Sequence, residues 1–219
     1  MSDWEPFLDE VSWFVQPGES VVVGEARPWT RGSIDGLPEL SALFGSAVLT
    51  PVSVGGTAYE LLAWGSPSDR RGWLCHTPLE AEGDFVPRVH KSFWRVCGGI
   101  VERFGEPGTW WNNQNQVLTI DAARVRIADV FADYAWLWED AGLEVPIDPD
   151  EYYAVAVEAN GNLTLAHRGN GRLVLFAPDH AFTHVTPLVG SPPYSLLTID
   201  KVPDLATWIE VCAAAWRDQ

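Results

Sequence analysis

The segment of residues 152–176 places the strictest limits on how this chain folds. Its sequence, YYAVAVEANGNLTLAHRGNGRLVLF, contains three apolar runs separated by two glycine-containing turns. Asparagine and glycine at Asn160-Gly161, and glycine again at 169–171, tolerate the positive φ angles of tight reversals. Apolar residues alternate in the first two runs and are continuous in the third, which is typical of a strand buried on both faces. The segment therefore predicts a three-stranded antiparallel meander whose last strand lies deepest.

Short β-like runs also fill much of residues 20–80. SVVVGEA, AVLTPVSV, AYELLAW and GWLCHT are separated by clusters of glycine, proline, serine and aspartate, which is the composition of turns. These runs predict an N-terminal β-rich lobe over residues 1–82. The polar segment EAEGD at 80–84 is the predicted boundary, and residues 83–219 form the second predicted domain.

Helical spacing of apolar residues marks the remaining ordered segments. These segments are residues 4–14, 37–44, 87–97, 120–142 and 205–216. The third is predicted to end at the pair Gly98-Gly99, because glycine adopts the left-handed cap conformation without strain. The fourth has Thr119 or Asp121 as its predicted N-cap and Gly142 as its stop.

The charge of the chain disfavours one class of partner. Thirty Asp and Glu against 14 Lys and Arg give a formal net charge of -16, so the phosphates of a nucleic acid would be repelled. A basic protein is the complementary partner, although a strongly acidic surface also serves solubility alone. Twelve tryptophans present a similar choice, because large aromatic side chains fill cores and, where exposed, mark binding faces.

The cysteines and the N-terminus indicate the compartment. Cys75, Cys97 and Cys212 are odd in number and widely spaced, which predicts neither a disulfide framework nor a zinc site and favours a reducing environment. The N-terminal stretch MSDWEPFLDE lacks the basic and apolar regions of a signal peptide, and no apolar run reaches the length of a membrane span. We therefore expect a cytoplasmic protein without membrane contact.

The motifs after residue 85 follow a recognisable order. VHKSFWRVCGGI ends in a glycine pair, the meander follows with Gly161-Asn162 and Gly171, then come Asp179-His180 and the amphipathic stretch DLATWIEVCAAAW. In these motifs the chain resembles the SUKH superfamily, also called SMI1/KNR4-like. The resemblance implies an α+β fold with a mainly antiparallel central sheet flanked by helices, used as a protein-binding module. Many bacterial members of the family are immunity proteins that neutralise toxins, often nucleases.

The resemblance covers about the C-terminal three-fifths of the chain. The first 80 residues have no clear counterpart, so it implies nothing about the N-terminal lobe. Two places depart from the family pattern: Asn162 stands where aspartate is frequent, and His167-Arg168 occupy a turn that is often acidic.

No catalytic motif accompanies these structural motifs. The chain has no GxSxG elbow, no P-loop, no GxGxxG after a strand and no HExxH. Asp179, His180 and His184 form the one cluster with metal-like spacing, since two histidines four residues apart share a helix face. Pro178 and Pro187 confine such a helix, and aspartate and histidine readily cap turns, so we interpret the cluster as turn residues. Neither an enzyme nor a cofactor is predicted.

The sequence thus predicts a non-enzymatic protein-binding module, and an immunity protein against a basic, nuclease-like toxin is the leading interpretation. Two adjacent tryptophans in an amide-rich loop and a proline-stiffened acidic loop supply contact residues of the kind that interfaces use. The predicted partner-binding residues are Trp110, Trp111, Asp148, Asp150, Glu151 and Asp179. Two alternatives stay open: a regulatory scaffold of the SMI1/KNR4 type, and a metal-dependent enzyme that uses Asp179, His180 and His184.

Overall fold

The structure is a computed structural model, and it describes residues 2–80, 85–107, 114–178 and 182–217. Two compact units make up the chain. The first unit comprises Met1–Ala81, Ser92–Thr109 and Ile209–Gln219, and the second comprises Glu82–Lys91 and Trp110–Trp208. The chain therefore enters the first unit three times, whereas the sequence reading assigns everything after residue 82 to a single second domain.

The first unit contains antiparallel strands. Its strands are β1 (Val21–Val23), β2 (Arg27–Pro28), β3 (Val48–Val54), β4 (Thr57–Trp64), β5 (Arg71–His76) and β6 (Ile100–Phe104). They are ordered β1-β3-β4-β5-β6, and β2 also pairs with β3. The four β-like runs of residues 20–80 coincide with β1, β3, β4 and β5, so those strand predictions are confirmed.

Two helices of the first unit supply much of its core. Helix α1 (Trp4–Glu10) is shorter than predicted, because Val11 leaves the helical conformation with φ -115° and ψ 49°. Trp4, Phe7 and Val11 are buried against apolar residues of β3, β4, β5 and β6. Helix α2 (Pro38–Gly45) confirms the prediction for residues 37–44 and buries three apolar side chains, Leu40, Leu43 and Phe44.

Helix α3 (Arg88–Trp94) ends four residues before the glycine pair, so the predicted cap at Gly98-Gly99 is wrong. The pair instead lies against β5, where Gly98 N donates to His76 O and His76 N donates to Gly99 O, at 3.0 and 2.9 Å. A side chain at Gly98 would place its Cβ 2.2 Å from the Thr77 carbonyl oxygen. Gly98 is therefore required for close backbone approach.

The second unit contains the remaining antiparallel strands of the described residues. Its strands are β7 (Gln114–Val117), β8 (Tyr152–Glu158), β9 (Leu163–His167), β10 (Leu173–Phe176), β11 (Val185–Pro187) and β12 (Leu196–Ile199), in the order β7-β8-β9-β10-β12-β11. The predicted meander is confirmed as β8-β9-β10, with Gly161 at φ +90° and Gly171 at φ +72° in its turns. All four residues of β10 are buried, which confirms its deep position.

The predicted helix of residues 120–142 is three short helices: α4 (Ile120–Ala123), α5 (Ile127–Asp133) and α6 (Trp136–Glu139). Thr119 Oγ1 accepts a hydrogen bond from Ala122 N at 3.1 Å, which confirms that cap. Arg126 is extended, with φ -82° and ψ 102°, and this separates α4 from α5. Gly142 ends the segment at φ +65°, as predicted.

The apolar stripe of this segment packs on strands of the second unit. Its buried core joins residues of α5, α6 and the meander: Ile127, Phe131, Trp138, Tyr152, Leu165 and Phe176. Helix α7 (Leu205–Arg217) closes the chain, with Asp204 Oδ1 accepting from Thr207 N at 2.9 Å. The fold class is α+β with an antiparallel sheet. The helices that the structure describes are all too short, or too polar, to cross a bilayer.

Candidate functional site

The three predicted acidic residues of the second unit lie together on one tight turn. Pro149–Glu151 form a single 3-10 turn directly before β8, with Asp148 as its N-cap. Asp148 Oδ1 accepts a hydrogen bond from Asp150 N at 3.0 Å. Asp148, Asp150 and Glu151 are all exposed. The turn therefore presents three carboxylates to solvent from a short segment with a fixed backbone.

Arg168 holds this acidic turn in place. Its Nε donates to the Asp150 carbonyl oxygen at 3.1 Å, and its backbone N donates to Glu151 O at 2.8 Å. Its guanidinium also donates to Phe85 O at 2.7 Å. The backbone of the turn is thus anchored to the end of β9 by one half-buried side chain, which lowers the entropic cost of presenting the charge.

His167 adds a second link between the turn and β9. Its Nδ1 accepts hydrogen bonds from Gly169 N and Asn170 N, at 3.0 and 3.3 Å. A neutral imidazole that accepts at Nδ1 carries its proton on Nε2, and Nε2 lies 3.4 Å from Glu151 Oε2. The N–H of the ring is therefore directed at a carboxylate of the acidic turn.

His90 is a buried structural histidine. Its Nε2 lies 3.2 Å from the Leu118 carbonyl oxygen, and because a carbonyl only accepts, Nε2 is the donor. Nδ1 then accepts from the Tyr153 hydroxyl at 3.0 Å. Desolvation lowers the pKa of His90 to about 4, and burial raises the pKa of Tyr153 far above its usual value. Both groups stay neutral, as a buried hydrogen-bonded pair requires.

Three predicted contact residues, Trp110, Trp111 and Asp179, lie outside the described residues, as does His180. His184 is exposed and has φ +60°. Within the ranges that the structure describes, no three histidine, cysteine or acidic residues are grouped as metal ligands. The metal-dependent alternative stays a prediction, because two of its three residues fall outside those ranges.

Trp136 is an exposed aromatic residue that the sequence analysis did not single out. Its side chain is 53% exposed, whereas Trp138, two residues later, is 1% exposed in the core. Asp133 and Asp140, which precede and follow Trp136 by three and four residues, are exposed. Asp140 N donates to Trp136 O at 2.9 Å, so these positions are helical neighbours. A signal was available: two residues correspond to about 200° of helix, which turns Trp136 away from the stripe.

Most of the other described tryptophans fill cores. Trp4, Trp64, Trp73, Trp94, Trp138, Trp208 and Trp216 are buried. Besides Trp136, only Trp13 in the first unit is exposed among the tryptophans that the structure describes, at 62%. Helix α5 lies beside the acidic turn, and α6 follows α5 after two residues. Among the described residues, Trp136 is therefore the exposed tryptophan of the unit that carries the turn.

Comparison with protein-family models, with curated proteins and with solved structures finds no match to this chain. The resemblance to the SUKH superfamily therefore stays a prediction from the quoted motifs. The geometry that bears on function is that of the second unit itself: an anchored acidic turn and an exposed tryptophan flanked by aspartates.

Proposed function

We propose that this chain is a non-enzymatic protein-binding module of the cytoplasm and that it binds a basic protein through the second unit. The observation that carries the proposal is the anchored acidic turn, where Asp148, Asp150 and Glu151 are exposed on a backbone held by Arg168. An immunity protein bound to a basic toxin is the form of this function that the SUKH resemblance favours.

Electrostatic attraction accounts for the encounter step. Carboxylates on a pre-formed turn attract a cationic surface without first having to be ordered, so the barrier to association is small. Steering of this kind raises association rates by roughly 10 to 1,000-fold at low ionic strength. The overall charge of -16 adds to the same long-range field.

Trp136 supplies the apolar contact that exposed charges lack. Tryptophan is enriched among the residues that contribute most to binding energy, and its ring face also attracts lysine and arginine side chains. The exposed Asp133 and Asp140 beside it suit the same cationic groups. A basic residue of the partner would thus contact the ring and a carboxylate together.

A capture experiment with matched variants tests the acidic turn. The triple variant Asp148→Asn, Asp150→Asn, Glu151→Gln removes three charges and keeps the side-chain oxygen that caps the turn. With the chain as bait in extracts of its native cell, we expect the variant to lose a basic protein that the wild type captures at low salt. The wild-type complex should also weaken as salt rises.

The control variant removes the same charge elsewhere. Asp9→Asn, Glu25→Gln, Asp35→Asn changes three exposed residues of the first unit, and it should capture the partner as well as the wild type. Equal loss in both triple variants would show that only net charge matters, and capture insensitive to the turn and to salt would refute the proposal.

A single substitution tests the aromatic contact separately. Trp136→Ala should keep its folding transition, because the ring is half exposed, and should release the captured protein faster than the wild type does. Trp13→Ala removes the exposed ring of the first unit and serves as the control. Unchanged dissociation of the Trp136 variant would exclude this residue from the interface.

A further inference from the structure

The second unit contains a cavity of about 370 Å³ next to the acidic turn. This volume lies within the range of small-molecule sites. The residues of its wall that matter chemically are Phe85, Arg124, Arg126, Asp150, Tyr152 and Arg168. Three arginines therefore line one small space.

This concentration of positive charge is unexpected for the composition. Carboxylates outnumber Lys and Arg by 30 to 14, so most cations of such a chain can find an acidic partner. Arg126 has one, Asp129, at 3.4 Å, with both side chains well exposed. In residues 85–107 and 114–178, the structure gives Arg124 and Arg168 no carboxylate partner. Two of the three cations in the wall thus have no carboxylate partner in the part of the chain that the structure describes.

Arg168 is held in position before any ligand arrives. Its Nε and one terminal nitrogen donate to the carbonyl oxygens of Asp150 and Phe85, at 3.1 and 2.7 Å, and its guanidinium lies 5.5 Å from the centre of the Tyr153 ring. A guanidinium has five N–H donors, and two carbonyls do not use them all. The remaining donors of a fixed, half-buried cation suit an anion.

We propose that this cavity binds a small organic phosphate monoester. Guanidinium groups pair with phosphate oxygens in a bidentate manner. Three of these cations suit a doubly charged phosphate better than a ligand with one carboxylate. Phe85, Ile127 and Tyr152 supply an apolar wall for the organic part. Asp150 also lines the cavity, and its carboxylate would repel a second anionic group and accept a hydrogen bond from a ligand hydroxyl. The ligand is thus a monophosphate with hydroxyl groups, of the size of a sugar phosphate.

Calorimetric titration of the full chain tests the cavity without the protein partner of the preceding section. The titrants are ribose 5-phosphate, ribose and inorganic phosphate, each at constant chloride and constant ionic strength. We expect ribose 5-phosphate to bind in a 1:1 ratio, inorganic phosphate to bind more weakly, and ribose to give no binding heat. Binding of inorganic phosphate alone would overturn the assignment to an organic ester, and binding of neither would overturn the site.

Arg124→Gln is the decisive variant, because Arg124 is exposed and its removal leaves the anchors of the acidic turn intact. Loss of one charged pair should weaken ribose 5-phosphate binding roughly tenfold. Arg95→Gln, which removes an exposed arginine of the first unit, should bind as tightly as the wild type. Equal weakening in both variants would show non-specific attraction and would contradict the proposal, and circular dichroism establishes that each variant is folded.

Discussion

At the scale of single residues, His90 has the largest consequence for pH dependence. Its folded-state pKa of about 4 lies below the ordinary value of 6.5, so the unfolded chain binds a proton that the folded chain excludes. The stability that His90 contributes is complete above pH 6.5 and is lost as the pH falls from 6.5 towards 4. The loss across this window is about 3 kcal/mol in free energy of unfolding.

Substitution of this histidine isolates its share of the pH dependence. His90→Gln should be less stable than the wild type at pH 7, because the Tyr153 hydroxyl and the Leu118 carbonyl lose well-placed partners. Between pH 7 and pH 5, however, the free energy of unfolding in urea should fall less for the variant than for the wild type. Parallel curves of the two proteins would contradict the assignment. So would a wild-type NMR signal of the His90 imidazole that titrates near pH 6.5.

Some residues of the site were predictable, and others were not. Asp148, Asp150 and Glu151 lie between and after two prolines in a short acidic run, and such local composition predicts an exposed turn. Arg168 contacts Asp150 from 18 residues away, and no local pattern records a contact of that kind. Arg168 reaches the turn because the register of β8 and β9 pairs Tyr152 with His167, and this pairing is a property of the folded chain.

At the scale of elements, the close approach of β4 restricts which residue β5 can hold at position 72. Gly72 lies in β5, where an added Cβ would be 2.2 Å from Leu62 O and 2.8 Å from Phe104 Cε1. Gly72→Ala should therefore destabilise the protein by about 3 kcal/mol or more, because backbone atoms of β4 would have to move.

The matched control is Gly45→Ala at the end of α2, where no atom lies within 4 Å of the added Cβ. Alanine favours helix over glycine by up to about 1 kcal/mol, so this variant should be as stable as the wild type or slightly more stable. Urea unfolding of the two variants gives the comparison. Equal stability of the two variants would show that β4 and β5 can shift to accommodate a side chain at position 72.

The elements of the meander were predictable because glycine and asparagine fix its turns. The three-helix division of residues 120–142 was not, since this segment has no proline, and its first glycine is Gly142. Its apolar residues keep helical spacing across the interruption at Arg126. The backbone of Arg126 is extended there, but the apolar pattern does not change. The spacing of apolar residues shows which side of the segment is buried. Ile127, Phe131 and Trp138 reach the same core, and they can do so from one continuous helix or from several short ones.

At the scale of the whole molecule, the charge of -16 makes stability depend on salt. Repulsion among the carboxylates opposes folding, and 0.1 M salt shortens its range to about 10 Å. The melting temperature at pH 7 should therefore rise as sodium chloride increases from low concentration to roughly 0.3 M. Chloride is the appropriate salt, because phosphate would also bind in the cavity proposed beside the acidic turn.

The control for this salt effect is the same series at pH 4.5, near the sequence pI, where the net charge is small and the rise should disappear. A melting temperature that falls with chloride at pH 7 would instead show that attractive pairs dominate. Candidates are the pairs of Arg70 with Asp3 at 2.7 Å and of Arg217 with Glu39 at 2.6 Å.

The first unit is built from three separate segments of the chain, and this affects how it folds during synthesis. Trp216 packs against Trp64 and Trp73, with ring centres 5.6 Å apart in both cases, and Glu210 accepts hydrogen bonds from the first backbone amides of α2. At translation rates of 5 to 20 residues per second, this closing segment leaves the ribosome on the order of ten seconds after residue 81. Until then, two tryptophan faces stay uncovered, and a chaperone has time to bind them.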